Sequence, residues 1–459
     1  MRFHRLIILC LLLVGPYTGA FAQSSPQTPI NGDWDGSLKV PTGMEMRLTL
    51  HLSEHAATMD SPDQNASGIP VTLNRQDSTV TVAISSVKAS FTGTLSADGQ
   101  SMTGRFSQGG MNMPAHFSRR AAGAAAPQPD RPQTPHPPFP YTSRDVNFPG
   151  KDGDLLAGTL MLPKGHGPFP AVVMIAGSGR QNRDEDVAGH KIFLVIADRL
   201  TRAGIAVLRY DKRGIGASKG DFKTATTADF AIDAQDAARW LRTQPGIARD
   251  KVGLIGHSEG AEIAPLVANR DVQVAFVVLL SAPALPGADI IAAQQLAIAL
   301  ASGVPKAEAE KLHANEIRLL DAVRHSADQA SANAAAQKIM EQAGMPAERA
   351  ATEASEISSP WFRATLDYDP APALRKLQQP TLVIAGSRDL QVDPAANLPV
   401  IRSALAKNAH ARIVELPGLN HLLQPAKTGA PQEYGSIPIT VDPAALDLIT
   451  EWVKQQVHL

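Results

Sequence analysis

Lys251-Val252-Gly253-Leu254-Ile255-Gly256-His257-Ser258-Glu259-Gly260 is the stretch on which the reading of this chain turns. Residues 252–255 form a short apolar run, and residues 261–268 continue as a helix pattern with Pro265 inside it. The order is strand, Gly-x-Ser-x-Gly, helix. In that context the motif forces a tight turn that lifts the serine hydroxyl clear of a sheet. Gly256 and Gly260, which flank His257, Ser258 and Glu259, leave room where side chains would meet neighbouring backbone. The Glu259 N–H then lies at a helix N-terminus, where it can meet a developing oxyanion. Ser258 is therefore predicted to be a nucleophile.

A serine hydroxyl is weakly nucleophilic. It needs a base, and the base needs an orienting acid. In a strand-turn-helix setting of this kind the expected chain order is Ser, then Asp or Glu, then His. A strand pattern at 381–385 is followed by Gly386-Ser387-Arg388-Asp389-Leu390-Gln391-Val392-Asp393. Asp389 sits just past the strand end, where catalytic groups of such sheets collect, and is read as the acid. Its rival, Asp393, opens the next helix pattern and has an ordinary explanation as an N-cap. After the last strand pattern comes Leu416-Pro417-Gly418-Leu419-Asn420-His421, which makes His421 the base; His410 precedes that strand and His458 lies near the terminus. A second oxyanion donor is expected from Ala176-Gly177-Ser178-Gly179, after the strand pattern 171–176. Ser178 N–H is the first choice there and Gly179 the second.

Working outward, strand and helix patterns alternate from Tyr141 to the end. Strands are expected at 155–162, 171–176, 205–210, 252–255, 272–280, 381–385 and 411–416, and helices at 190–203, 227–243, 395–406 and 443–457. Such alternation predicts an α/β fold with a mostly parallel sheet covered by helices on both faces. Residues 285–374 interrupt it. They are alanine-rich, with Leu312, Leu319 and Val323 at helical spacing, and read as a helical lid over the elbow. The loop Arg183-Asp184-Glu185-Asp186 is read as solvated, with binding of a substrate amine as the alternative. Asp211-Lys212-Arg213-Gly214-Ile215-Gly216-Ala217-Ser218 does not match a phosphate loop and is read as a turn supporting the site.

Upstream, residues 30–119 carry period-two segments with turn residues between them, including Asp98-Gly99. They predict a small all-β domain, with Trp34 plugging one end. His51 and His55 on such strands are read as solvated rather than as metal ligands. Residues 120–140, rich in alanine and then proline, read as a semi-rigid linker. Residues 1–22 have a basic start, an apolar run at 6–14 and Ala20-Phe21-Ala22, the pattern of a signal peptide cleaved after Ala22. That implies a periplasmic or secreted protein. The run is too short to span a bilayer. The only cysteine, Cys10, lies within it, so thiol nucleophiles and thiolate metal sites are not expected downstream. A net charge of −1 offers no basic field for nucleic acid, and 44% hydrophobic with 19% charged residues fits a globular chain with a sizeable core.

From Tyr141 to Leu459 the chain resembles an α/β-hydrolase. It is similar to a bacterial esterase-like branch with Gly-Ser-Gly after an early strand, Asp-Lys-Arg-Gly-x-Gly-x-Ser, and Gly-His-Ser-Glu-Gly. These stand here at Gly177-Ser178-Gly179, at 211–218 and at 256–260. The branch overlaps sequences labelled serine aminopeptidase or dienelactone-hydrolase-like. Where its oxyanion loop usually carries His-Gly, this chain has Ala176-Gly177. The resemblance implies triad roles for Ser258, Asp389 and His421, no metal or organic cofactor, and a small-molecule ester as substrate. The expectation is an exported carboxylesterase. The alternatives are an aminopeptidase or amidase on the same triad, and a catalytically dead scaffold that serves as a binding protein.

Overall fold

The computed structural model describes residues 29–39, 45–53, 57–61, 66–108, 111–121, 123–124 and 131–459. The signal-peptide pattern, His55 and part of the 120–140 segment lie outside them. The described residues cluster into two compact units, the first made largely of residues within 29–124 and the second largely of residues 131–459.

In the first unit, period-two patterning produces one antiparallel sheet. Its strands are β1 (Gly32–Lys39), β2 (Glu45–Leu52), β3 (Ala57–Ser61), β4 (Ala66–Pro70), β5 (Thr72–Gln76), β6 (Thr79–Ile84), β7 (Ala89–Leu95), β8 (Ser101–Gln108) and β9 (Met111–Arg119), in the order β4-β3-β2-β1-β9-β8-β7-β6-β5. Alternate residues face one core. Val80, Val82 and Ile84 point into it from β6, Phe91 and Leu95 from β7, and Met113, Ala115 and Phe117 from β9. The Asp98-Gly99 turn joins β7 to β8, with Gly99 at φ 68°. Trp34 is fully buried, donates to the Ile30 carbonyl at 2.9 Å and lies under the Arg119 guanidinium.

The second unit is built on a sheet of eight strands: β10 (Thr142–Pro149), β11 (Leu155–Leu162), β12 (Phe169–Ile175), β15 (Ala206–Tyr210), β16 (Ile247–His257), β17 (Val277–Leu280), β18 (Thr381–Gly386) and β19 (Ala411–Leu416). A two-stranded ribbon, β13 (Asp186–Val187) with β14 (His190–Lys191), stands apart. The order is β10-β11-β15-β12-β16-β17-β18-β19, with β11 antiparallel to both neighbours and the rest parallel. This is the α/β-hydrolase arrangement.

Its strands are apolar on both faces, as parallel strands between helices must be. Ala171, Val173, Ile175, Val252, Leu254, Val383 and Ala385 join one core, against α2 (Thr227–Arg242), α3 (Glu259–Arg270) and α10 (Pro394–Ala404). Val172, Met174, Ile255, Leu382 and Ile384 join the other, against α1 (Ile192–Arg202) and α11 (Pro443–Val457). Several boundaries differ from expectation, β16 extending the strand expected at 252–255 the most, and two of the differences have a traceable cause. The strand predicted at 272–280 begins only at Val277. Val272 is 89% exposed in a turn whose preceding residue, Asp271, is held by Arg242 at 2.7 Å. The helix expected from 190 begins at Ile192, because His190 and Lys191 pair in the ribbon.

Between β17 and β18 lie α4 (Gly287–Ala301), α5 (Lys306–Arg324), α6 (Gln329–Gln342), α7 (Ala347–Ile357), α8 (Pro360–Asp367) and α9 (Ala371–Arg375). The first five share a small core of their own around Leu319, Leu320, Val323, Ala336, Ala354 and Leu366. Leu319 and Val323 enter it, whereas Leu312 is half exposed.

Candidate active site

Ser258 stands between the last residue of β16 and the first of α3, at φ 53° and ψ −118°. This backbone conformation is one that non-glycine residues rarely adopt, and it persists because its surroundings over-determine it. The Ser258 N–H donates to the Leu280 carbonyl at 3.0 Å, and its own carbonyl accepts from Ala261 N–H at 2.8 Å. A Cβ on Gly256 would strike the Gly260 carbonyl, and one on Gly260 the Ile175 carbonyl. The side chain of Ser258 is half-buried at the mouth of the turn, over the positive end of α3.

Asp389 follows β18 and is buried. Its Oδ1 accepts the N–H groups of Gln391 and Val392 at 2.9 and 2.8 Å, and its Oδ2 accepts His421 Nδ1–H at 2.9 Å. These bonds fix the carboxylate in place and assign the imidazole proton to Nδ1, which leaves Nε2 as the basic nitrogen. Asp393, the rival acid, is exposed and caps α10 through Ala395 N–H at 3.0 Å. The structure thus joins Asp389 to His421. The Ser258 hydroxyl makes no hydrogen bond to the imidazole, a contact that in unliganded sites commonly tightens only with substrate.

His421 reaches the elbow through its backbone. Its carbonyl accepts His257 Nε2–H at 2.9 Å and Ser281 Oγ–H at 2.8 Å, and the rings of His257 and His421 lie 4.9 Å apart. On its other side His257 Nδ1 meets Glu185 Oε1 at 3.0 Å. The same oxygen accepts Gly177 N–H at 2.6 Å. Glu185 is therefore not part of a solvated loop, as its acidic surroundings suggested. It is 1% exposed, drawn in by a histidine ring and a backbone amide. Its neighbours are paired too: Asp184 with Arg209, and Arg183 with Asp211 at 2.8 Å. Burial disfavours the charged form of His257, but the Glu185 carboxylate outweighs it and the ring's pKa lies above its usual value.

Because Gly177 N–H is occupied, it is not a free oxyanion donor. Ser178, Gly179 and Glu259 N–H have no acceptor among the described residues. Gly177 lies close to Ser258: a Cβ there would be 3.2 Å from Ser258 Cβ.

The Glu259 side chain turns away from the oxyanion region into a buried network. It accepts from Lys212 Nζ at 2.7 Å, Thr227 Oγ1 at 2.7 Å and, from helix α8, Trp361 Nε1 at 2.6 Å. Lys212 also lies 4.4 Å from the Phe230 ring centroid. The 211–218 turn is thus a support. Asp211 holds the 183 loop through Arg183, Arg213 pairs with buried Asp233 at 2.5 Å, and Ser218 Oγ donates to the Asp211 carbonyl at 2.7 Å. One turn along α3, Glu262 has its pKa raised well above the usual carboxylate value by burial and by Glu259. Among the described residues no group of three or more His, Cys, Asp or Glu is placed to hold a metal ion. Glu185 and Trp361 had no sequence signal, since each meets its partner only across many residues of fold.

Residues 152–403 match the family model for X-Pro dipeptidyl-peptidase (S15 family). The chain is 31% identical over 323 residues to esterase EstD of Thermotoga maritima, covering 69% of this chain and 68% of that protein. It is 32% identical over 127 residues to esterase FrsA of Yersinia pestis, 28% of each chain. Among solved structures, α/β hydrolase GrgF from a Penicillium species gives a TM-score of 0.45 at 19% identity, over 69% of this chain and 100% of that one. An esterase of Pyrococcus furiosus gives 0.45 at 15% identity, over 73% and 99%.

Proposed function

We propose that this chain, which belongs to the X-Pro dipeptidyl-peptidase (S15) family and is a serine hydrolase of the α/β-hydrolase fold, is an exported carboxylesterase acting on small or medium acyl esters through Ser258, His421 and Asp389. The observation that carries the reading is the buried Asp389–His421 hydrogen bond at 2.9 Å, beside a serine held at φ 53° at the head of α3. His421 Nε2 takes the Ser258 proton as Oγ attacks the ester carbonyl. The oxyanion is received by Glu259 N–H and Ser178 N–H, with Gly179 N–H as the alternative to the latter. His421 then passes the proton to the leaving alcohol, and a water repeats the sequence on the acyl-enzyme. Asp389 holds the imidazole in the required tautomer and offsets its transient charge. No step calls on a metal or cofactor. Esterase EstD, similar over two thirds of its length, supports ester over amide.

The family description favours a second reading, cleavage of a peptide bond by the same groups. A panel of p-nitrophenyl acyl esters against aminoacyl and X-Pro nitroanilides separates the two. The ester reading expects turnover of acetyl to octanoyl esters and little of the anilides; the reverse would make the protein a peptidase. Export is supported by the basic start, the apolar run at 6–14 and Ala20-Phe21-Ala22. Its test is the N-terminal sequence of protein recovered from the periplasm, expected to begin at Gln23.

A further inference from the structure

We propose that Glu185 and His257 form a buried carboxylate–imidazolium pair that positions the site from behind, with Glu185 setting the oxyanion loop and His257 setting the backbone of His421. The proposal rests on the esterase reading for its kinetic consequence and on geometry alone for its charge state.

Both ring nitrogens of His257 face acceptors. Nε2 lies 2.9 Å from the His421 carbonyl, which can only accept. Nδ1 lies 3.0 Å from Glu185 Oε1, which already accepts Gly177 N–H at 2.6 Å. A neutral imidazole has one N–H and one lone pair. Either tautomer would therefore set a lone pair against an oxygen in a site where neither His257 nor Glu185 is more than 4% exposed. With Glu185 ionised, only the doubly protonated ring satisfies both contacts. The neutral alternative would put the acid proton on Oε1, the oxygen that already accepts Gly177 N–H at 2.6 Å, and the proposal takes the ion pair. The titratable groups facing His257 come from three loops. They are Glu185 on the loop after β12, Asp389 on the loop after β18, and the His421 ring after β19. The two carboxylates favour the cation, and the elevated pKa of His257 agrees.

The consequences converge on the reaction centre. His421 is held at its ring by Asp389 and at its carbonyl by His257 and Ser281. The oxyanion loop is held by Glu185 at Gly177, which lies against Ser258, and the next amide, Ser178 N–H, has no acceptor among the described residues. One carboxylate thus ties the donor loop to the base loop. Neither residue touches substrate, so both are positioning residues.

The charge is read directly in a long-range ¹H–¹⁵N spectrum of full-length protein with ¹⁵N-labelled histidine, the His257 signals being assigned with His257→Gln. At about pH 7.5 both nitrogens should carry protons, and Glu185→Gln should return the ring to a single proton. In kinetics, Glu185→Gln should lower kcat about tenfold with KM little moved, and Glu185→Asp, which keeps the carboxylate, should recover part of kcat together with the doubly protonated ring. A neutral His257 in the wild-type spectrum, or a doubly protonated ring that survives Glu185→Gln, overturns the proposal. If the protein proves to be a peptidase, the spectrum still decides the charge.

Discussion

Two regions of the hydrolase unit each bury a histidine, and they treat it in opposite ways. At the catalytic edge, His257 lies between a carboxylate and a carbonyl, with both nitrogens facing acceptors. Beside the ribbon, His190 is fully buried with Nε2 against the Tyr434 carbonyl at 2.8 Å and Nδ1 against Thr440 Oγ1 at 3.0 Å. A hydroxyl can donate, so a neutral ring satisfies both. Burial, with the nearby Arg131 guanidinium, holds the His190 pKa down to about 4. Equal burial gives opposite charge because the partners differ. The second region is also a clamp. Arg131 donates to the carbonyls of Ile437, Gly435 and Ala188 at 2.6, 2.8 and 3.2 Å, and Gln133 exchanges hydrogen bonds with Thr440 and Val441. One region holds the Asp389–His421 pair, and the other ties an early segment to the fold.

Substitutions should therefore break the two regions differently. The largest effect belongs to the catalytic edge. Asp389→Asn should lower kcat for a p-nitrophenyl ester by about 10³–10⁴, because the imidazole takes the wrong tautomer, while the denaturation midpoint changes little. Asp393→Asn should do almost nothing, since asparagine also caps a helix well. Equal damage from Asp393→Asn would move the acid to that position.

The clamp should answer in stability. Arg131→Ala strands buried carbonyls that now accept from a cation and should cost about 2–4 kcal/mol in urea unfolding, with kcat of the folded fraction nearly unchanged. For the same reason a hydrolase fragment starting at Tyr141 should be much less stable than one starting at Arg131. Equal stability of the two fragments would deny the clamp any weight.

The smallest effect is the pH slope. The folded pKa of His190, about 4, lies below its unfolded value of about 6.5. On acidification the unfolded chain takes the proton first. Stability should be level above about pH 6.5 and fall by up to about 3 kcal/mol toward pH 4, a slope that His190→Gln should flatten. His257 has the opposite sign. Its folded pKa is raised, so its contribution is present at low and neutral pH and is lost as pH rises through that pKa.

Much of this architecture is legible in the sequence because it rests on local pattern. Buried strands such as 171–175 and 381–385 are continuous apolar runs, and α11 starts at Pro443 directly after a capping Asp442. Asp389 and His421 can be singled out by chain order, and they meet at hydrogen-bond distance. What was not legible depends on distant partners. Glu185 sits in an acidic run that reads as solvated, and a histidine 72 residues later, together with the Gly177 amide, draws it inside. Arg131 stands among prolines that suggest a semi-rigid linker, yet two of its acceptors lie about 300 residues on. Val272 begins an apolar run but is left outside the strand, because the preceding Asp271 is anchored to Arg242.

The central claim, that Ser258 is the nucleophile of an esterase, is tested most directly by labelling purified protein with a fluorophosphonate and mapping the modified peptide. The account predicts one label per chain, on Ser258. It also predicts that Ser258→Ala takes no label and loses about 10⁶ in ester kcat with its folding intact. A label on another serine, or ester turnover surviving in Ser258→Ala, would contradict it.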